Sequence, residues 1–572
     1  MNSVVQTQPP ENLAGTWDLV VLGSGAAAFA AATTAACKGL SVLMLEKAPQ
    51  FGGTSAISGG AVWIFDSDQA RAAGIQDSPE AIRTYLKKTI GSGYRPELVD
   101  AFISKGREAL RFLEQHTELA YALRPFSPDY YPLEDGATDR GRALEMLEYD
   151  GRRLGARFKD LRRPPEGMLL FGGMMVNRVD IQHFLSFRRS PRSLWHCLKL
   201  MARYGLDRLS HERGTRLTVG NAMIARLATT AFEKGVELWL QSSAESLVIE
   251  GGRVVGVRVQ KDGRQVVVRA RGGVVCAMGG FAAGELAARF RPDAGSEHLT
   301  MSPATNDGAA LRLGAEVNAA TGAGMAANFF WAPVSKLRRP NGETERFPHL
   351  VTDRAKPGII AVNSAGQRFT NEADSYHSFV QAMHREGIAT CWLVCDAEAM
   401  GRYGMGLARP SPVDNSALIE AGYLFRADTA EGLARAIGVD PQGLAATLAR
   451  HNEDARSGHD SQFGKGATSY NQSLGDPHHK PNPCLAPLTR APWYAVRVHT
   501  GDLGSARGLV TDATARVLDH QGKPIAGLYA AGNDMNSIMD GTYPGPGITL
   551  GPGLTFGYLA ASHAAEHLQS KA

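Results

Sequence analysis

The sequence is short of cysteine, of net charge and of long apolar runs, and each shortage removes a class of protein. Its six cysteines (Cys37, Cys197, Cys276, Cys391, Cys395, Cys484) are scattered over 572 residues. A secreted disulfide scaffold concentrates them, so a reducing cytoplasm is the expected compartment. Cys391 and Cys395 flank one apolar run, where a redox or metal pair and two buried strand cysteines are both open readings; no metal is expected. Lys and Arg number 61 against 57 Asp and Glu, a net +4. So small an excess gives nucleic acid no footing and points to a small-molecule partner. No uninterrupted apolar run approaches the ~20 residues that span a bilayer. Residues 1–15 have neither a basic start nor an apolar stretch, so no secretory signal is expected and they read as a disordered tail. The chain is expected to be soluble, and at 44% hydrophobic it can bury the cores of two or more domains.

What the chain does have is glycine placed against strands. Asp18 to Leu22 reads as a buried parallel strand that runs into Gly23-Ser24-Gly25-Ala26-Ala27-Ala28 and an alanine-rich helix reaching about Lys38. Gly23 allows the turn, Gly25 lets the backbone approach a pyrophosphate at the helix N-terminus, and Ala28 permits close helix packing. A second strand, Ser41 to Leu45, ends in Glu46, a carboxylate about twenty residues on that suits a ribose diol and argues against NADP. Lys47 to Gly60 then reads KAPQFGGTSAISGG, a second glycine-rich loop that NAD does not require and that a bulky isoalloxazine does.

On that loop the chain resembles the flavoprotein family of fumarate reductase, succinate dehydrogenase and the 3-ketosteroid dehydrogenases, whose members carry GG(T/S)xxxSGG here. Further pieces fall in family order. Gly220-Asn221-Ala222 opens a helix, and Val236 to Leu238 and Ser246 to Val259 look like strands of a small subsheet. Gly272 to Phe281 resembles the strand and AxGGF turn that returns to the flavin, and Gly527 to Asn533 resembles the last strand. The resemblance implies an α/β fold, a Rossmann-like FAD-binding domain (1–320 and 490–572) with an inserted α+β catalytic domain (321–489). It implies FAD contacts from Gly23, Ser24, Gly25, Ala26 and Ala27; from Glu46, Lys47, Gly53, Thr54, Ser55, Ser58, Gly59 and Gly60; and from Ala277, Gly279, Gly532, Asn533, Gly547 and Leu550. The loop from Gly53 to Gly60 has no histidine, so FAD is expected to be noncovalent.

Three tyrosine motifs resemble the 3-ketosteroid Δ1-dehydrogenases in particular: Pro128-Asp129-Tyr130-Tyr131-Pro132, Arg368-Phe369-Thr370-Asn371-Glu372 through Tyr376, and Tyr543-Pro544-Gly545-Pro546-Gly547. The resemblance implies that Tyr543 and the Gly547 N–H hold a C3 carbonyl, Tyr376 takes a proton from C2, Tyr130 hydrogen-bonds Tyr376, and flavin N5 accepts hydride from C1. Chemistry supports these roles. Carbon beside a carbonyl becomes acidic when donors stabilise charge on the oxygen, and a phenol of ordinary pKa near ~10 needs a donor or a positive field to act as a base. Tyr131 competes with Tyr130 for its role, and His377 is set aside because an extended segment would turn it away from Tyr376. Gly551 is expected to open a helix. Asn328-Phe329-Phe330-Trp331 suits a ring pocket and core packing equally.

The expected activity is FAD-dependent 1,2-desaturation of a 3-ketosteroid. The alternatives are Δ4-dehydrogenation of 5α-3-ketosteroids, desaturation of another cyclic ketone, alkene reduction of the fumarate-reductase kind (although no HPT segment is present), or an electron-carrying subunit with no substrate. The electron acceptor is open. A helical insertion over about 180–216 carries Arg188, Arg189, Arg192, Lys199, Arg203, Arg208, Arg213 and Arg216 among Leu194, Trp195, Leu198, Leu200, Met201 and Leu206. Such a segment suits peripheral contact with the inner face of an anionic membrane; a solvated insertion or an oligomer contact suits it too.

Overall fold

The computed structural model describes residues 13–188, 190–292 and 297–570. Five parallel strands make the centre. Leu13–Leu22 lies between Val42–Leu45 and Arg264–Cys276, with Glu237–Trp239 and Pro524–Ala530 outside them, all parallel. Leu19 to Leu22 and Val42 to Leu45 are at most 3% exposed, the mark of strands covered on both faces. Register brings the strands level at their carboxyl ends. Leu22 pairs with both Leu45 and Cys276, and Cys276 pairs with Ala530. Gly23, Glu46, Ala277 and the Gly532 turn therefore leave the sheet along one rim, where open α/β sheets bind ligands.

Ser242–Glu250 and Arg253–Lys261 extend Arg264–Cys276 as an antiparallel flap, and Arg516–Leu518 adds an antiparallel edge. Val236 to Leu238 is not part of that flap: Glu237–Trp239 pairs in parallel with Val42–Leu45 in the main sheet. The first strand begins at Leu13 rather than Asp18, extended by Gly15 to Trp17 pairing with Val268 to Ala270. Residues 1–12 of the expected tail lie outside the described residues.

Two helices with little polar surface cover the sheet. Ala26–Cys37 is buried from Ala26 to Ala35, and Leu550–Gln569 packs along it. A helix apolar all round is an interior helix, and here alanine and glycine let the axes approach. A Cβ at Gly557 would meet the Ala27 carbonyl oxygen at 2.5 Å.

A second, six-stranded antiparallel sheet runs Thr344–Pro348, Val334–Arg338, Trp493–His499, Thr390–Cys395, Ile359–Val362, with Leu424–Ala427 also paired to Trp493–His499. Cys391 and Cys395 are buried free thiols in its middle. Helices Arg178–Ser186 and Pro191–Asp207 form a separate pair. Among the described residues no helix is long and apolar enough to cross a membrane.

Candidate active site

The rim of the parallel sheet is built for a dinucleotide. Gly23 holds φ at +101°, and a Cβ there would lie 2.2 Å from the Ala277 carbonyl oxygen. Gly25 caps the helix Ala26–Cys37 with no side-chain cap and no acid in the first turn. A Cβ on Gly25 would touch only the Ser55 hydroxyl, at 3.3 Å, so the glycine leaves open approach to the helix N-terminus. Ser55 accepts from the Ala26 N–H at 3.0 Å, tying the second glycine loop to the first. Ser24 donates its hydroxyl to Glu46, and Glu46 also accepts from the Ala48 N–H at 2.7 Å. Burial pushes the Glu46 pKa up against those hydrogen bonds.

The rest of the loop is pinned locally. Ser58 donates to the Ser55 carbonyl at 2.7 Å and accepts from the Gly60 N–H, while Gly59 is exposed. Lys47 pairs with Asp307 at 2.6 Å. Asn306 donates to Thr54 at 3.3 Å and to the Gly279 carbonyl at 3.0 Å. Asp534, buried and pushed up to about 6, accepts from the Met278 and Gly280 N–H groups and joins the AxGGF turn to Gly532-Asn533. Gly532, Asn533, Phe330, Ile548, Thr549 and Gly553 line a small, part-open cavity. Leu550, one residue before the expected start, opens the C-terminal helix.

At the far side three phenols meet. Tyr130 donates its hydroxyl to that of Tyr376 at 3.3 Å, its ring stacks on Tyr543 at 5.5 Å, and Tyr376 meets Tyr543 edge-on at 5.1 Å. All three are buried. Tyr131 does not take that place; its main-chain N–H donates to Tyr85 at 3.4 Å. Both motifs share one anchor, because the Pro544 carbonyl accepts from the Tyr130 N–H at 2.9 Å and the Tyr85 hydroxyl at 2.5 Å. Gly547 sits at φ +98°, where a Cβ would lie 2.5 Å from the Ala61 carbonyl oxygen. Phe330 faces Tyr543 at 5.7 Å, whereas Phe329 and Trp331 pack in the second core, so the strand Phe329–Trp331 divides its aromatics between site and core.

Tyr376 is the first residue of the helix Tyr376–Arg385, capped by Ser375, and not part of an extended segment. His377 therefore turns inward. It accepts from the Trp331 N–H at 3.1 Å and lies 6.1 Å from the Tyr543 ring, and burial holds its pKa down at about 3. The stretch before the helix is a frame: Arg368 grips Glu372 at 2.7 and 2.8 Å and Asp460 at 2.8 and 2.9 Å, all of it buried. Tyr470, absent from the motifs, stands 4.8 Å from Tyr130. Burial pushes the pKa values of Tyr130, Tyr376, Tyr470 and Tyr543 up.

Known proteins resemble this chain over most of its length. The family described as an FAD binding domain matches residues 18–550. The 3-oxosteroid 1-dehydrogenase of Mycobacterium tuberculosis is 35% identical, with 96% of this chain and 98% of that protein covered. The 4-oxocyclohex-2-ene-1-carboxylate 5-dehydrogenase of Sinomonas cyclohexanicum is 37% identical, over 96% and 93%. The 3-ketosteroid Δ1-dehydrogenase of Sterolibacterium denitrificans, solved with 1,4-androstadiene-3,17-dione, superposes with a TM-score of 0.90 at 37% identity, over 96% of this chain and all of that one. The chain belongs to the flavoprotein family of these dehydrogenases. It is an FAD-dependent oxidoreductase of the 3-oxosteroid 1-dehydrogenase type, acting on CH–CH bonds.

The residues present fit the flavoprotein's cofactor. The open N-terminus at Gly25 suits a diphosphate, Glu46 suits a ribose, and the cavity beside Gly532 and Thr549 opens against the C-terminal helix. The loop from Gly53 to Gly60 holds no histidine, cysteine or tyrosine for a covalent link. Asn306, Asp307, Asp534 and Tyr470 escaped the motif reading, since single residues in loops and in short helices carry no spacing of their own; a signal was available only for Asp534, in its place just after Gly532-Asn533.

Proposed function

We propose that the enzyme desaturates the C1–C2 bond of a 3-ketosteroid, and the observation that carries this is the buried meeting of Tyr130, Tyr376 and Tyr543. Tyr543 and the Gly547 N–H hold the ketone oxygen, where negative charge grows as the neighbouring C–H is lost. Tyr376 takes that proton from C2, and Tyr130, 3.3 Å away, orients the Tyr376 hydroxyl and shares its charge. Bound FAD supplies a hydride acceptor for C1. Burial and the apolar ring of Phe330 keep water from the reacting carbons.

A second reading is a smaller cyclic ketone, favoured by the 37% identity to the 4-oxocyclohex-2-ene-1-carboxylate 5-dehydrogenase. Anaerobic mixing of the FAD-loaded enzyme with 4-androstene-3,17-dione separates the two. We expect flavin bleaching and a product lighter by two hydrogens, unsaturated between C1 and C2. No bleaching with the steroid, together with bleaching by 4-oxocyclohex-2-ene-1-carboxylate, would transfer the chemistry to the small ring.

Two further readings complete the proposal. The FAD-binding part covers 1–320 and the C-terminal segment, and the substrate part is the insert between. Trp493–His499 completes the insert's sheet, which favours a second boundary near 500 over 490. The helix pair supports peripheral contact with an anionic lipid surface from the cytoplasmic side: Trp195 is 71% exposed, Leu206 69% and Leu209 83%, among exposed Arg188, Arg192, Lys199, Arg203 and Arg208. Arg213 and Arg216 leave that surface. Both are buried, Arg213 over the Phe158 ring and Arg216 paired with Glu148 and Asp180. Leu200 is buried too, and Arg189 lies outside the described residues.

A further inference from the structure

A buried arginine stands behind the tyrosines with its donors committed in an unusual way. Arg354 is 2% exposed. Its Nε donates to the His349 carbonyl at 2.7 Å and Nη2 to the Leu350 carbonyl at 2.9 Å, while Nη1 donates to the carbonyls of Glu372 at 2.6 Å and Asp374 at 3.0 Å. Its guanidinium also lies 5.1 Å from the ring centre of Phe379, on the helix that Tyr376 opens. Four main-chain carbonyls and one aromatic face thus hold it, where a buried cation ordinarily takes a carboxylate.

The neighbouring carboxylates are engaged elsewhere. Asp353 pairs with His349 at 2.6 Å, Glu372 pairs with Arg368 and faces Lys465 at 3.7 Å, and Asp374 accepts from Asn471 at 2.9 Å. On the other side Arg354 faces Tyr470 and Tyr130 and lowers the cost of ionising each, and it faces the Cys391 thiol. Tyr376 itself faces Tyr130, Tyr543 and Arg124, and Arg124 leans on Glu145 at 3.5 Å.

We propose that Arg354 is a positioning residue for Tyr376: it fixes the two carbonyls just before this phenol and the helix just after it, and its charge, together with that of Arg124, steadies negative charge passed from Tyr376 to its hydrogen-bond partner Tyr130. The inference rests on the base role proposed for Tyr376. Its charge adds to that of Arg124 on Tyr130, against the burial that makes four clustered phenols resist ionisation.

The test is the pH dependence of flavin reduction by 4-androstene-3,17-dione in FAD-loaded variants, with steroid affinity read separately. A base that works ionised gives a rate that rises with pH. In Arg354→Met we expect that rise to move up by about one pH unit or more, with the steroid Kd changed less than about threefold. Arg354→Lys keeps the charge but not the fork, so its rise should hold its place while the maximal rate falls about tenfold. A folded R354M enzyme whose rise stays where the parent's is would overturn the proposal. Should R354M not fold, R354K decides: parental rate and profile together would overturn it, and a lowered maximum on an unmoved profile would support it. Tyr376→Phe separates the two readings. Parental rates in Y376F would remove the base assignment itself, whereas loss of rate in Y376F beside unaffected Arg354 variants would remove only the present inference.

Discussion

At residue 543 the ring and the hydroxyl have separable jobs. Tyr543→Phe keeps the stack on Tyr130 and the edge contact with Phe330 and removes a single donor. Loss of one oxyanion donor costs about 10²- to 10³-fold in rate, so kcat should fall by that much with flavin content unchanged by absorbance. Turnover equal to the parent would favour the electron-carrier reading. The meeting of Tyr130, Tyr376 and Tyr543 was legible because each sits in a motif, two of them beside prolines or glycines that fix the local turn. Tyr470 and Arg354 were not. They stand in ordinary sequence, Thr468-Ser469-Tyr470 and Thr352-Asp353-Arg354, and reach the cluster only through contacts that folding creates across long stretches of chain. His377 failed for a local reason: a side-chain direction was inferred from strand geometry, and the residue lies on the second position of a helix.

At the scale of elements, the segment from Arg368 leads to Tyr376, the proposed base, from a buried ionic frame. Arg368 holds Glu372 and Asp460, and Lys465, which faces Glu372, donates to the Ile359 carbonyl at 2.5 Å, binding the segment before the helix to the second sheet. Breaking a buried pair from one side strands the partner's charge and costs about 3–5 kcal/mol. Arg368→Met should therefore melt earlier at pH 7, followed by circular dichroism. The pH dependence has a definite sign. Burial raises the Glu372 pKa, but Arg368 and Lys465 outweigh it and hold the carboxyl down at about 2, below its ordinary 4.5. Its stabilisation is complete above about pH 4.5 and is lost as pH falls toward 2. The gap in Tm between parent and R368M should shrink over that window, and a constant gap would mean that the frame is not electrostatic. The RFxNE pattern was readable as a motif, yet its partners Asp460 and Lys465 were not, since an ion pair across some ninety residues leaves no periodicity. The parallel strands were readable because each apolar run stops at a glycine or a carboxylate. The edge Glu237–Trp239 was misplaced because three residues carry no sign of the sheet they join.

Across the whole molecule, a rim of glycine turns fits the cofactor, the helix Tyr376–Arg385 brings one phenol from the middle of the chain to Tyr130 and Tyr543, and the helix pair carries exposed apolar and basic side chains. Exposed tryptophan and leucine beside five cations make little sense for a surface that meets only water. A sparingly soluble ketone gives such a surface a purpose, because an enzyme seated on the bilayer meets it at its highest concentration. Flotation with vesicles containing phosphatidylserine tests this. We expect binding at low salt, release as screening shortens the reach of Arg192, Lys199 and their neighbours, and no binding to neutral vesicles. Each basic residue near an anionic surface contributes about 1 kcal/mol, so Arg192→Ala with Lys199→Ala should weaken binding about 30-fold. Trp195→Glu should abolish it by placing a charge where the ring enters the interface, with flavin reduction in solution untouched. Equal flotation of parent and Trp195→Glu, or none by either, would remove the membrane reading. Self-association that Trp195→Glu disperses would mean that this face meets a second copy of the chain instead.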